Sequence, residues 1–117
     1  MYEATYRAML EDTTEQIREN ERRAFDKAIG LLRAAQGKGR GSRESVEALL
    51  FANRLWTVLL EDLADEGNGL PDPLKASLIS IGIWVLRRTE DIRQGSVDDF
   101  SALIEVFETI RKGLGRS

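Results

Sequence analysis

The sequence predicts an all-α protein: a small helical bundle of about four main helices preceded by a short N-terminal helical segment. Three observations lead there. Apolar residues recur at helical spacing through four long stretches. No stretch alternates with the period of two that a half-buried strand requires. Each boundary carries a capping residue or a glycine. The 117 residues, 42% hydrophobic and 32% charged, suit one domain over residues 1–117 with a modest core and a solvated surface.

Tyr2, Tyr6, Met9 and Leu10 fall at helical spacing within residues 1–12, a segment short enough to need docking or a partner. Thr13 to Gln16 reads as a capping box, which starts the first main helix near Thr14 and carries it to about Gln36. Its stripe is Ile17, Ala24, Ala28, Leu31 and Ala35, widened by Phe25, Ile29 and Leu32. The following GKGRGS, residues 37–42, is a flexible glycine-rich loop; it lacks the residue order and the preceding strand of a phosphate-binding loop.

Ser42 caps a second helix from Arg43 to about Glu66. Val46, Leu49, Leu50, Asn53, Trp56, Leu60 and Leu63 share one of its faces. Asn53 there reads as an amide bonded within the fold, and Trp56 as a core residue whose indole N–H needs an acceptor. Gly67 supplies the left-handed residue that ends the helix.

Asp72 and Pro73 read as the N-cap and first position of a third helix. Its run from Leu78 to Leu86 is apolar except at Ser80 and Gly82. That run is too short to span a bilayer, which needs ~20 residues, so this helix is expected at the centre of the bundle. Gly82 implies close approach by a neighbouring helix. Gly95 stops the third helix, and Ser96 to Asp99 start the last, with Val97, Phe100, Leu103, Ile104, Phe107, Ile110 and Leu114 as its apolar stripe.

Composition narrows the chemistry. The net charge of −3 argues against a general nucleic-acid binder. Absence of both cysteine and histidine removes thiolate chemistry, the usual general base and the commonest transition-metal ligand. Glu61, Asp62, Asp65 and Glu66 are the densest carboxylates, but they read as a solvated helix face without the residue order of a calcium loop. No catalytic, metal or cofactor site is therefore expected, and the chain is not read as an enzyme. MYEATYRAML lacks the basic start and apolar run of a secretory signal, so a cytoplasmic location is expected.

Asn53-Arg54-Leu55-Trp56, then Asn68-x-Leu70-Pro71, then Leu74 and Leu78-Ile79-Ser80-Ile81-Gly82-Ile83-Trp84 resemble the flagellar biosynthesis regulator family FlaF. The resemblance covers most of residues 1–95, and its specific part is the block 53–88. Asn53, Leu55, Trp56, Asn68, Leu70 and Pro71 carry it. It implies a non-enzymatic accessory protein of flagellum assembly that promotes flagellin synthesis and export and engages flagellin as a cytoplasmic chaperone. A translational repressor, FlbT, is the opposing partner it implies. Flagellin's terminal segments form amphipathic helices, which an apolar groove on a bundle can receive. The second apolar stripe of the third helix, Ile79, Ile83 and Leu86, together with Trp84 between the two stripes, is the surface expected to bind them.

The alternative is a post-transcriptional regulator acting through mRNA or through FlbT. Between Ile17 and Arg43 there are eight basic residues against three acidic ones, which could hold phosphates. Phe25 is the single aromatic there and falls on the apolar side, so no base-stacking platform accompanies them. Protein binding is preferred over direct RNA contact on that ground.

Overall fold

The computed structural model describes the backbone of residues 2–114 and the side chains of residues 19–114. It contains four helices, α1 (Tyr2–Ala35), α2 (Arg43–Ala64), α3 (Asp72–Gln94) and α4 (Ser101–Gly113), and no strand among the described residues. The all-α expectation holds, but the N-terminal segment is continuous with the first helix. Backbone from Tyr2 runs through Thr13 without a break, because residues 2–29 contain no glycine or proline to interrupt it. The side chains of Tyr2, Tyr6, Met9, Leu10, Thr13 and Gln16 lie outside the described residues, as does the 115–117 tail.

Helices pack in the order α3, α2, α1, α4, each against the next. Side chains tie α4 antiparallel to α1 along its length. Gln36 Nε2 donates to Ser101 Oγ at 3.0 Å, Arg33 meets Glu108 at 2.6 Å, Arg111 meets Asp26 at 2.8 Å, and Arg22 donates to the Leu114 carbonyl at 3.1 Å. The core is Phe25, Ala28, Leu32 and Ala35 from α1, Ala48, Leu49, Ala52 and Trp56 from α2, Val85 and Ile92 from α3, and Phe100, Leu103, Ile104 and Phe107 at and within α4. Three rings hold its middle: Trp56 stands edge-on to Phe25 and Phe107, with centroids 6.0 and 6.5 Å away.

The third helix is not central. It packs chiefly against α2, placing Val85 and Ile92 in the core and burying besides them only Gly82 and Thr89. Neither of its apolar stripes is fully covered: Leu74 on one is 46% exposed and Ile83 on the other 42%. Gly82 explains how closely the pair approaches. A Cβ there would lie 2.7 Å from Leu60 Cδ2 and 2.9 Å from Trp56 Cε3, both under the ordinary van der Waals distance.

Several helix ends differ from expectation for local reasons. Ser42 caps α2 as predicted, accepting from Ser45 N at 3.1 Å, and the Ser42 and Ser45 hydroxyls both donate to the Gly39 carbonyl. The C-terminus of α2 is made by Asp65 in an extended conformation, with its carboxylate accepting from Gly67 N at 3.0 Å. That side-chain turn makes a left-handed residue at Gly67 unnecessary. The cap of α3 is Pro71, not Asp72: proline already holds φ at −59°, and its carbonyl accepts from Lys75 N. Gly95 does end α3, at φ 89°, and a side chain there would collide with the Arg40 guanidinium from the glycine-rich loop. Helix α4 begins at Ser101 rather than near Ser96. Asp99 acts as the local cap, accepting from Ser101 N at 2.9 Å and from Ser101 Oγ at 2.7 Å.

Candidate functional site: an apolar cleft at one end of the layer

The first half of α3 and the end of α4 face each other across an opening. It is a solvent-open cleft of about 650 Å³. Leu70, Leu74 and Leu78 form one wall, from the α2–α3 connection and α3. The opposite wall is Ile110, Gly113 and Leu114 of α4, and the floor is Phe25 of α1 with Trp56, Leu59 and Leu63 of α2. Leu74 is 46% exposed and Leu70 37%, so the wall is apolar surface left in water. Polar side chains on the lining are Glu21, Asp62 and Thr109.

The α2–α3 hairpin positions this cleft, and the motif residues build the hairpin. Asn53 Nδ2 donates to Thr89 Oγ1 at 3.2 Å, and Thr89 Oγ1 donates on to the Leu86 carbonyl at 2.9 Å. This is the internally bonded amide the sequence suggests. Leu55 packs half-buried against the core. Asn68 shapes the connection, accepting from Leu70 N at 3.0 Å and donating to Asp62 at 3.3 Å. Leu70 then stands on the rim, and Pro71 starts α3. Trp56 is core at 1% exposure, as expected, but its Nε1–H meets no acceptor. An enclosed donor without a partner is costly, and it lies in a residue that floors the cleft.

Of the four residues expected to bind a partner, Ile83 is 42% exposed, while Ile79, Trp84 and Leu86 are half-buried. Trp84 carries the Arg88 guanidinium over its ring, 5.1 Å from the centroid. None of the four lines the cleft, which uses the stripe of Leu74 and Leu78 instead. That stripe was legible as apolar, but periodicity assigns it to the core. Nothing in the sequence shows that α3 and α4 diverge at this end.

The carboxyls of Glu19, Glu90 and Asp99 are held below their ordinary ranges, chiefly by hydrogen bonds from Arg22, Arg93 and the Ser101 backbone respectively. All three are surface contacts outside the cleft lining. No group of histidine, cysteine, aspartate and glutamate among the described residues could hold a metal ion. No described helix is long and apolar enough to cross a membrane.

The described residues thus form an all-helical bundle with an apolar cleft open between α3 and α4. The chain belongs to the family described as Flagellar protein FlaF, whose model matches residues 2–114. It is thus a flagellar protein, of a family of accessory and regulatory proteins. Searches of curated proteins and of solved structures gave no match.

Proposed function

We propose that this protein is a non-enzymatic cytoplasmic chaperone of flagellin, holding a terminal amphipathic segment before export and so promoting flagellin synthesis and assembly. The observation that carries the reading is the cleft: Leu70, Leu74, Leu78, Ile110 and Leu114 leave an apolar trough of about 650 Å³ along a helix pair. A guest helix places side chains into such a trough at i, i+3, i+4 and i+7. The outer stripe of Ile79, Ile83, Trp84 and Leu86 is a second proposed contact surface, on the same helix but outside the cleft.

The alternative, regulation through direct mRNA contact, has weaker support. Arg22 and Arg23 pair with Glu19, Arg33 pairs with Glu108, and Lys27 sits 4.8 Å over the Phe51 ring. Much of the basic stretch is therefore engaged within the fold. Regulation through FlbT needs no such patch and stays as the competing reading.

Co-purification with full-length and end-truncated flagellins tests the proposal. Retention of full-length flagellin, lost when one terminal segment is removed, is the expected result. Equal retention of every truncation, or of none, would count against a terminal segment as the guest.

A further inference from the structure

We infer that the cleft selects its guest by charge, taking an amphipathic helix whose apolar stripe is flanked by lysine or arginine, with that basic flank laid against the C-terminal end of α2. The inference rests on the helix-binding reading above and adds to it the chemistry of the bound segment.

The argument starts from helix ends. A helix C-terminus carries partial negative charge and is stabilised by cations. Three of the four helices follow this rule, with Arg33 in the last turn of α1, Arg93 in that of α3, and Arg111 and Lys112 in that of α4. Helix α2 has no basic residue in its last turn. Instead it ends in Glu61 and Asp62, followed by Asp65 and Glu66. Four carboxylates thus face a dipole end of their own sign.

Among the described residues none of the four has a cation within ion-pair distance, although α3, packed on α2, carries Lys75 in its first turn. Their recorded bonds are from the Asn68 amide to Asp62 and from the Gly67 N–H to Asp65. The end of α4 behaves differently, its terminal Leu114 carbonyl receiving the Arg22 guanidinium.

An acidic helix end is ordinarily only a solvated surface. Here Asp62 is itself part of the cleft lining, beside Leu59, Leu63 and Leu70. Asp62 is where the acidic helix end meets the apolar trough. A neutral or acidic guest would bring apolar contacts but leave the like-charge end uncompensated. A basic-flanked guest supplies both the stripe and the missing cations, and the charge fixes which way round it lies.

The test uses the full chain and synthetic amphipathic helical peptides of about 18 residues. All share one leucine stripe and differ only in whether the flank carries lysine, glutamine or glutamate. Binding is read by fluorescence anisotropy at low salt and at about 0.5 M salt, where exposed charges are screened within a few ångströms. The lysine-flanked peptide should bind about tenfold or more tighter than the glutamate-flanked one, a difference of ~1.4 kcal/mol. That preference should collapse at high salt and in the combined variant Asp62→Asn, Asp65→Asn, Glu66→Gln, while Leu74→Lys weakens every peptide. Equal binding of all three flanks, a preference that survives undiminished in the triple variant, or a dimer whose cleft admits no peptide would each overturn the inference. The outcome also separates from the flagellin reading. Flagellin binding that ignores the three substitutions sinks the charge selection alone. Charge-selective peptide binding without flagellin binding sinks the flagellin reading alone.

Discussion

The same chemical change, glycine to alanine, should have opposite signs at two positions. At Gly30 in α1, an added Cβ meets nothing within 4 Å. The backbone there is helical, so Gly30→Ala gains helix propensity of about 0.8–1 kcal/mol with no opposing term. At Gly82 the same propensity gain is available, but the new methyl falls 2.7 Å from Leu60 Cδ2, 3.0 Å from Leu60 Cγ and 2.9 Å from Trp56 Cε3. Leu60 is half-buried and can shift; Trp56, at 1% exposure and held between the Phe25 and Phe107 rings, cannot. Overpacking a fixed site costs typically ~1–3 kcal/mol. The net expectation for Gly82→Ala is a loss of up to about 2 kcal/mol once the propensity gain is set against it. Urea denaturation followed by circular dichroism measures both, with unchanged slope as the condition for reading midpoints as stability. If Gly82→Ala stabilised the protein as much as Gly30→Ala, the close α2–α3 approach would be refuted, and with it the geometry that opens the cleft.

Helix ends offer a second contrast: Ser42→Ala should cost ~1 kcal/mol by removing a cap that accepts from Ser45 N. Asp72→Ala, whose carboxylate caps nothing, should change the unfolding free energy by no more than about 0.5 kcal/mol. Asn53→Ala and Thr89→Val should couple in a double-mutant cycle by ~1 kcal/mol, because their side chains share one bond at 3.2 Å; additive losses would show the bond is not formed. Lowered carboxyl pKa values at Glu19, Glu90 and Asp99 give stability that is full above the ordinary carboxylate range and lost as pH falls through their folded values. With no histidine to titrate, thermal stability should be flat between about pH 6 and 8 and decline only below about pH 5.

The sequence made the fold class plain because helical periodicity is strong in every element and no competing period occurs. Local chemistry was readable where one residue decides the outcome, as at Ser42, Gly82 and Gly95. It misled where two adjacent candidates compete. Pro71 pre-empts Asp72, and the Asp65 turn pre-empts Gly67. Continuity of α1 through Thr13 shows the same limit, since a good cap does not start a helix when the residues before it are helix formers too. The cleft was the least legible feature. Leu74 and Leu78 lie at spacings indistinguishable from core positions, and their exposure follows from the divergence of α3 and α4, which depends on the whole packing order. The motif residues Asn53, Asn68 and Pro71 point to the α2–α3 hairpin but not to the gap it leaves.

The central claim is that a flagellin segment binds this protein at the cleft, and calorimetric titration of unassembled flagellin into wild-type protein and three variants tests it most directly. Leu74→Lys places a charge on the cleft wall at a position already 46% exposed, so the fold should persist. Loss of an anchor of this kind costs ~2 kcal/mol or more, and binding should weaken by roughly 30-fold or more. Ile83→Lys and Trp84→Ala probe the outer stripe; with melting temperatures recorded alongside, they show whether the contact extends beyond the cleft. Measurable flagellin affinity, strongly reduced by Leu74→Lys at unchanged melting temperature, is the predicted result. Absence of affinity for any flagellin, or full affinity in folded Leu74→Lys, would contradict the account.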